Sequence, residues 1–288
     1  MSIQIIEARI RSYSPQSKQE EINAFKEIVQ SIALSGLSRG GFFKIAAFQG
    51  GTCLRICHSL QRFSEDMDFI LLKPNKTFTW EPFFKYLQLE FEAYGLELTV
   101  QDRSKADQPI KKAFLKDTSF GKILSLIYDR SPSDQQVATI KLEIDSNPPP
   151  VSSFETNFLD FPLPFSIVSQ DLPSLFASKC HALLCRPYVK GRDWFDFLWY
   201  VSTKISLNYG HLEEALKQTG PWQGKEIALT KKWIYSHFAE KINSLDWEKT
   251  KKDVENFLKP RDRESLHVWN KELFLATLEK MNSSLPER

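Results

Sequence analysis

The sequence predicts an α+β protein, with an α/β unit over residues 1–150 and a helical part over residues 151–288. Apolar and polar residues alternate in QVATIKLEID, which is typical of a half-buried strand, and short β-prone runs recur through the first half. The segment SNPPPVSS, residues 146–153, contains prolines that neither a helix nor a sheet ladder accommodates, so it marks the boundary. After this boundary, apolar residues recur mainly at helical spacing.

The predicted elements of the first half begin with an amphipathic helix over residues 20–37. FFKIAAFQ follows as a short buried strand that runs into Gly50 and Gly51, and a second helix is predicted from Thr52 to about Leu60. Composition then assigns a strand to DMDFILL, a helix to WEPFFKYLQLEFEAYG, and strands to LELTV, GKILSLIYD and QVATIKLEID.

The second half is predicted to be helical. Asp171 fits the N-cap of a helix in DLPSLFASKCHALLCR, with Pro173 in its first turn and Pro187 ending it. Another helix begins after Gly191, in RDWFDFLWYVS. Amphipathic stretches predict further helices near 211–217, 225–242, 247–258 and 264–281.

Composition limits the classes of protein. The chain has 288 residues and 42% hydrophobic content, enough for a sizeable core, which excludes a disordered protein. Lys and Arg number 38 against 36 Asp and Glu, so any nucleic-acid contact must be local. No apolar run approaches the roughly 18 residues of a membrane span. The polar start shows no signal-peptide pattern, and we expect a soluble, cytoplasmic protein.

The cysteines are interpreted as buried thiols rather than as zinc ligands. Cys53, Cys57, Cys180 and Cys185 alternate with apolar residues at helical spacing, whereas structural zinc sites take their ligands from knuckles and loops. Free thiols fit a reducing compartment.

Asp66 and Asp68 carry the strongest indication of chemistry. Residues two apart in a strand point to the same face, so their carboxylates are expected to lie close together. Two such charges repel each other unless a cation lies between them, and Mg²⁺ favours a few carboxylates together with water and phosphate oxygens. A neighbouring strand offers Glu143 and Asp145 as alternatives for a third carboxylate, and Glu143 is the one tightly flanked by apolar residues.

Gly50 and Gly51 predict a phosphate-binding turn. Glycine lets the backbone approach a ligand closely, and the start of the following helix presents unpaired N–H groups to an anion, while Thr52 adds a hydroxyl. With the two aspartates, this turn indicates phosphoryl or nucleotidyl transfer. No Gly-Lys-Ser/Thr follows, which excludes a Walker A loop, and a third glycine is missing for a Rossmann fingerprint. The histidines accompany no Gly-x-Ser-x-Gly, so a serine hydrolase is not favoured.

The blocks GGTCLR and RFSEDMDF resemble the signature of the nucleotidyltransferase superfamily, in which Gly-Ser or Gly-Thr precedes Asp-x-Asp after a variable gap. Here 13 residues separate Thr52 from Asp66. With FQGGTCLR, IKLEI and ASKCHALLCRPYVKGRDWFDF, the chain resembles more narrowly the AbiEii-like branch, which includes the MenT-type toxins. The matching blocks span residues 48–197.

This resemblance implies a nucleotidyltransferase-type N-terminal domain with a mixed β-sheet, and a helical C-terminal domain that completes the active-site cleft. It also implies transfer of a nucleotide from an NTP to an RNA hydroxyl, at the 3′ acceptor end of tRNA, with Mg²⁺ or Mn²⁺ as cofactor. The implied biological role is the toxin of a type IV-like toxin–antitoxin system, with an antitoxin as partner and no membrane association.

The resemblance also assigns site residues by motif match. Asp66, Asp68 and Glu143 would hold the metal, and with Asp193 they form the catalytic set. The nucleotide-binding residues would be Gly50, Gly51, Thr52, Arg55, Ser64 and Lys179. Lys179 is expected to contact phosphate, and Asp193 is expected to support the site from the second domain. The chain departs from many members at Gln49, where they carry Lys.

Two alternatives remain at the level of the sequence. In the first, the protein is a nucleotidyltransferase that modifies a protein hydroxyl instead of RNA. In the second, it is a catalytically degenerate member of the family that binds RNA or a partner protein. Lys231, Lys232 and Trp233 offer one local RNA contact, because phosphate binding needs only a few well-placed cations.

Overall fold

The computed structural model describes residues 2–105, 108–119 and 138–286. The predicted strand GKILSLIYD lies outside the described residues. Contacts divide the chain into two compact units. Unit 1 comprises Met1–Ser59, Phe63–Pro148 and Glu155–Ser169, and unit 2 comprises Leu60–Arg62, Pro149–Phe154 and Gln170–Arg288.

Unit 1 is built on a mixed sheet that has seven strands within the described part of the chain. The strands are β1 (Ala46–Gln49), β2 (Met67–Leu71), β3 (Leu98–Asp102), β4 (Ile110–Asp117), β5 (Ala138–Asp145), β6 (Phe154–Leu159) and β7 (Phe165–Gln170). Their order is β3-β4-β5-β2-β1-β7-β6. Strand β1 pairs antiparallel with β2 and parallel with β7, and β2 pairs parallel with β5. Strand β4 is antiparallel to both β3 and β5.

The helices of unit 1 are α1 (Ser2–Ser12), α2 (Lys18–Arg39), α3 (Gly50–His58) and α4 (Glu81–Ala93). Helix α2 is longer than the predicted 20–37 because Ser17 caps it by accepting a hydrogen bond from the backbone N–H of Glu20. Aromatic side chains fill the core beside the sheet. Phe42 stacks on Trp80 with ring centroids 5.6 Å apart and meets Phe69 edge-on at 5.0 Å.

The prediction of an α+β fold with a mixed sheet is confirmed. The strands β6 and β7 were not predicted, and the proposed boundary at residue 150 precedes both of them. Two phenylalanines explain the omission of β6. Phe154 is 36% exposed and Phe158 is 83% exposed, so the apolar residues of β6 mark no buried face.

The helices of unit 2 are α5 (Leu172–Cys185), α6 (Gly191–Ser202), α7 (Tyr209–Gln218), α8 (Lys231–Asn243), α9 (Trp247–Glu255), α10 (Pro260–Arg263) and α11 (Lys271–Ser284). Asp171 caps α5 as predicted, accepting a hydrogen bond of 2.9 Å from the backbone N–H of Ser174. The helices predicted near 225–242 and 264–281 start later than expected, because Thr230 caps α8 and Asn270 caps α11.

The four cysteines are free thiols, with Cys53 and Cys180 buried. Burial raises the pKa of the Cys180 thiol, and it raises the pKa of Cys185 to about 11. The Cys180 and Cys185 thiols are therefore weakly reactive at neutral pH. Among the described helices, none is both long enough and apolar enough to cross a membrane.

Candidate active site

Gly50 and Asp68 lie against each other at the end of β1. Gln49 is the register partner of Asp68 in the antiparallel pair of β1 and β2, and Gly50 follows with a φ of +78°. A β-carbon on Gly50 would lie 2.5 Å from Oδ2 of Asp68. Glycine is therefore required here for two reasons, its backbone conformation and the space that the Asp68 carboxylate occupies.

Helix α3 begins at this glycine without a side-chain cap. Gln49 occupies the N-cap position but makes no capping hydrogen bond, and its amide donates instead to the carbonyl oxygen of Phe69 at 3.1 Å. The first backbone N–H groups of a helix have no partner within the helix and carry its partial positive charge. The turn at Gly50 and Gly51 therefore offers donors that suit a phosphate group.

The hydroxyl of Thr52 connects the glycine turn to the segment that carries Asp66. The side chain is buried, and the hydroxyl donates a hydrogen bond to the backbone carbonyl oxygen of Asp66. This bond fixes Asp66 against the first turn of α3. The Thr52 hydroxyl is thus engaged within the fold, and the backbone N–H is the group of Thr52 that remains suited to a triphosphate.

The register of β2 and β5 distinguishes the two alternatives for a third carboxylate. Glu143 is the register partner of Asp68 in the parallel pair, so the two side chains share one face of the sheet. Asp145 is the partner of Ile70, further along β2, and it accepts a hydrogen bond of 2.9 Å from the backbone N–H of Asn147. Glu143 is therefore the acidic residue of β5 nearer to the aspartate pair.

Two lysines hold the carboxylate of Glu143. Its Oε1 lies 2.8 Å from Nζ of Lys141 and 2.9 Å from Nζ of Lys112. Burial alone would raise the pKa of Glu143, but hydrogen bonds from both lysines outweigh burial and the pKa lies below its ordinary value. Burial would lower the pKa of Lys141, and Glu143 together with Asp66 and Asp68 raises it above the ordinary value. Lys141 therefore interacts with the aspartate pair as well as with Glu143.

The donor set fits a divalent ion held by two carboxylates. Asp66 and Asp68 are half-buried, two residues apart, and Asp68 lies beside the uncapped start of α3. Mg²⁺ is commonly bound through one or two carboxylates, with water and substrate phosphates as its other ligands. Within the described residues, no three His, Cys, Asp or Glu side chains form a group that could hold a metal ion. Glu143 is neutralised by its lysines in this arrangement.

Arg55 and Ser64, both expected to bind nucleotide, lie in the same unit and are half-buried. Nε of Arg55 donates to Oε2 of Glu27 at 2.8 Å, and its guanidinium lies 4.7 Å from the ring centroid of Phe63. The backbone carbonyl of Ser64 accepts a hydrogen bond of 3.0 Å from the amide of Gln30. These contacts tie the connection between α3 and β2 to helix α2.

Lys179 and Asp193, the two expected site residues of unit 2, form a buried ion pair between α5 and α6. Nζ of Lys179 lies 2.6 Å from Oδ1 of Asp193 and 2.8 Å from Oδ2 of Asp196. Burial would lower the pKa of Lys179, but the two aspartates raise it above the ordinary value. The ammonium group therefore stays charged in the interior of unit 2.

Arg62, Arg186 and Asp196 complete this buried cluster, and none of them was predicted from the sequence. Arg62 donates from Nε and Nη2 to the two carboxylate oxygens of Asp196, each at 2.7 Å, and Arg186 pairs with Asp193. Burial would raise the pKa of Asp193, but Lys179 and Arg186 lower it to about 2. Three cations face two carboxylates here, so the cluster has an excess positive charge that favours an anion.

Comparison with known proteins identifies the family. The profile of the family described as "Nucleotidyl transferase AbiEii toxin, Type IV TA system" matches residues 32–276. No protein with curated annotation matches the sequence significantly. Among solved structures, JHP933 from Helicobacter pylori is similar with a TM-score of 0.53 and 17% identity, covering 93% of this chain and 92% of that one.

The nucleotidyltransferase toxin MenT4 from Mycobacterium tuberculosis is similar with a TM-score of 0.50 and 15% identity, covering 96% of this chain and 98% of that one. At such identities the likeness concerns the fold. The family match, in contrast, covers most of the sequence and includes the glycine turn, the aspartate pair, Lys179 and Asp193. The chain therefore belongs to the AbiEii family of nucleotidyltransferase toxins of type IV toxin–antitoxin systems.

Proposed function

We propose that the protein transfers a nucleotide from an NTP to an RNA hydroxyl at the 3′ acceptor end of tRNA, in a reaction that depends on Mg²⁺ or Mn²⁺. Nucleotidyl transfer follows from the family. The observation that supports the metal-dependent form is the approach of Gly50 to Asp68, because it joins a phosphate-binding turn to a metal-binding carboxylate.

Asp66 and Asp68 are the proposed metal ligands. When bound, a divalent ion neutralises charge on the phosphate oxygens around the reacting phosphorus. The backbone N–H groups of Gly50, Gly51 and Thr52 bind the triphosphate and orient it, which contributes to catalysis by positioning. Arg55 and Ser64 fix the segment between the glycine turn and the aspartates.

The proposed reaction forms one bond and breaks another. The acceptor hydroxyl oxygen bonds to the α-phosphorus, the bond from that phosphorus to the bridging oxygen breaks, and pyrophosphate leaves. The hydroxyl proton is released. The residues of the chain serve mainly to hold the two substrates in line and to stabilise the charge that develops on the phosphate oxygens.

The remaining site residues have supporting roles in this proposal. Lys179 contacts phosphate, and Asp193 holds its ammonium group in place, which agrees with the excess positive charge of their cluster. Glu143 is the third carboxylate on the face of the aspartate pair, and it acts by holding Lys112 and Lys141. The family also implies an antitoxin as the partner of this toxin.

Labelled nucleotide tests the proposal. Each of the four NTPs, labelled at the α-phosphate, is incubated with total tRNA in Mg²⁺ or in EDTA. We expect at least one nucleotide to enter tRNA only with Mg²⁺, and no incorporation by Asp66→Ala. Asp160→Ala removes an exposed aspartate of the same unit and should retain activity. If no nucleotide is incorporated, the proposal is contradicted. If the label enters protein instead of tRNA, the acceptor is a protein hydroxyl and not RNA.

A further inference from the structure

The face of β4 and β5 that carries Glu143 is rich in cations. Alternate residues of a strand share a face, and on this one Lys112 and Lys116 of β4 lie beside Lys141 of β5. Their side chains are half-buried. The opposite face belongs to the core, where the buried apolar residues include Ala113, Leu115, Ile140, Leu142 and Ile144.

Arg103, directly after β3, adds a fourth cation beside these lysines. Its backbone N–H donates to the carbonyl of Lys112 at 2.9 Å, which continues the register of β3 and β4 and places the two residues side by side. The Arg103 guanidinium lies 5.2 Å from the ring centroid of Phe114. Phe114 is half-buried and is the register partner of Lys141. We call Arg103, Lys112, Lys116 and Lys141 the basic strip.

The basic strip reaches the aspartate pair through Lys141. Leu142 is the register partner of Met67, so Lys141, one residue earlier, lies beside Asp66. Between Arg103, the residue after β3, and Asp68 on β2 there are three strand spacings of about 4.8 Å each, or about 14 Å. This distance suits several successive phosphates of a polymer better than a single phosphate group.

The acidic side chains nearby leave the strip positively charged. Glu143 and Asp145 of β5 lie on this face, Glu97 pairs with Thr118 two residues beyond Lys116, and Asp66 and Asp68 lie beside Lys141. With the proposed divalent ion on the aspartate pair, four cations stand against the other three carboxylates. Asp102 is the register partner of Ala113 and so belongs to the opposite face. An exposed ion pair usually contributes about 1 kcal/mol or less to stability, so stability alone does not account for two lysines on one carboxylate.

We propose that the basic strip binds the phosphate backbone of the acceptor RNA and leads its 3′ hydroxyl to Asp66 and Asp68. Cations that follow a backbone, beside an aromatic ring on which a base can stack, are the usual means of binding single-stranded nucleic acid. Glu143 positions Lys112 and Lys141 at the inner end of the strip. This inference rests on the proposed function and adds the surface by which the acceptor is recognised.

Binding of a fluorescently labelled tRNA transcript, without NTP, tests the strip directly. The variant Arg103→Gln/Lys116→Gln removes its two outer cations and spares the aspartate pair. If Arg103 and Lys116 each contact one phosphate of a single strand, the slope of log Kd against log salt falls by about 1.4 in this variant. We also expect its Kd for tRNA to rise about tenfold at moderate salt. The control Lys73→Gln/Lys76→Gln removes two exposed lysines after β2 and should bind as wild type.

Steady-state kinetics separates RNA from NTP as the ligand. For Arg103→Gln/Lys116→Gln we expect KM for tRNA to rise about tenfold, while KM for NTP stays within about twofold of wild type. A rise confined to KM for NTP would assign the strip to the triphosphate and overturn the inference. Unchanged tRNA affinity and salt slope in the variant, or no tRNA binding by wild type, would also overturn it.

Failure of this inference is distinguishable from failure of the proposed function. If wild type modifies tRNA but the strip variants bind and react as wild type, only the assignment of the surface is lost. If wild type transfers no nucleotide to tRNA under any condition, the acceptor itself is wrong. Circular dichroism and thermal unfolding of each variant show whether the fold is retained.

Discussion

Glu143 is the register partner of Asp68 on the adjacent parallel strand, so a third carboxylate lies on the face of the aspartate pair. Its Oε1 contacts the ammonium groups of Lys112 and Lys141. This relationship links the proposed metal site to the cations beside it. The proposed metal binding by the two aspartates and the proposed acceptor binding by the lysines can therefore be tested separately.

Glu143→Gln tests the division of roles. The amide keeps the size of the side chain but loses the charge that holds the lysines, so we expect KM for tRNA to rise several-fold. The Mg²⁺ concentration that gives half-maximal activity should stay within about twofold of wild type. If Glu143 were a metal ligand, its loss would instead raise this Mg²⁺ concentration by about tenfold or more. Asp145→Asn, further along β5, is the matched control.

Gly50→Ala tests the close approach at the phosphate turn. Alanine at a positive φ costs about 1–2 kcal/mol, and its β-carbon would displace the Asp68 carboxylate. We expect the rate of nucleotide transfer to fall by about 100-fold or more, because a displacement of about 1 Å can have such an effect. Gly224→Ala carries similar strain, with a φ of +70° and no neighbouring atom within 4 Å, and should retain activity. Full activity of Gly50→Ala would contradict the assignment.

Arg62→Met tests the buried cluster of unit 2. The substitution leaves Asp196 without its bidentate partner, and breaking a buried ion pair costs about 3–5 kcal/mol of unfolding free energy. Urea denaturation measures this change. The double variant Arg62→Met/Asp196→Leu removes both charges and should recover part of the loss. A loss below about 1 kcal/mol in the single variant would show that the pair is not important for stability.

Asp193 contributes stability to unit 2 that is lost at acid pH. Its pKa is lowered from 3.8 to about 2, so its contribution is fully present above about pH 4 and is lost as pH falls through about 2. The shift corresponds to stability on the order of 2 kcal/mol. We expect Asp193→Asn to lower the unfolding free energy at neutral pH and to flatten its decline between about pH 4 and 2. A decline parallel to that of wild type would contradict this.

Local sequence rules predicted the parts of the site that depend on neighbours in the chain. Asp66 and Asp68 flank Met67, the first residue of β2, and Gly50 and Gly51 form the uncapped first turn of α3. Asp171 likewise capped the predicted helix. These features follow from backbone geometry over a few residues, which is why they are readable without a structure.

The remaining features depend on distant pairing. Arg62 and Asp196 are 134 positions apart, and no local pattern links a loop arginine to a helix aspartate. The contact of Lys112 with Glu143 requires the register of β4 and β5, which the sequence does not specify. The preference for Glu143 over Asp145 also needed the register, in this case of β2 and β5.

Asp66 and Asp68 are proposed to hold a divalent ion opposite Gly50. Titration of the protein with Mn²⁺, followed by electron paramagnetic resonance without nucleotide, tests this proposal most directly. We expect Asp66→Asn/Asp68→Asn to bind Mn²⁺ at least about tenfold more weakly than wild type, because both charged ligands are lost, while Asp160→Asn binds normally. Mn²⁺ affinity unchanged in a folded double variant would contradict the proposal.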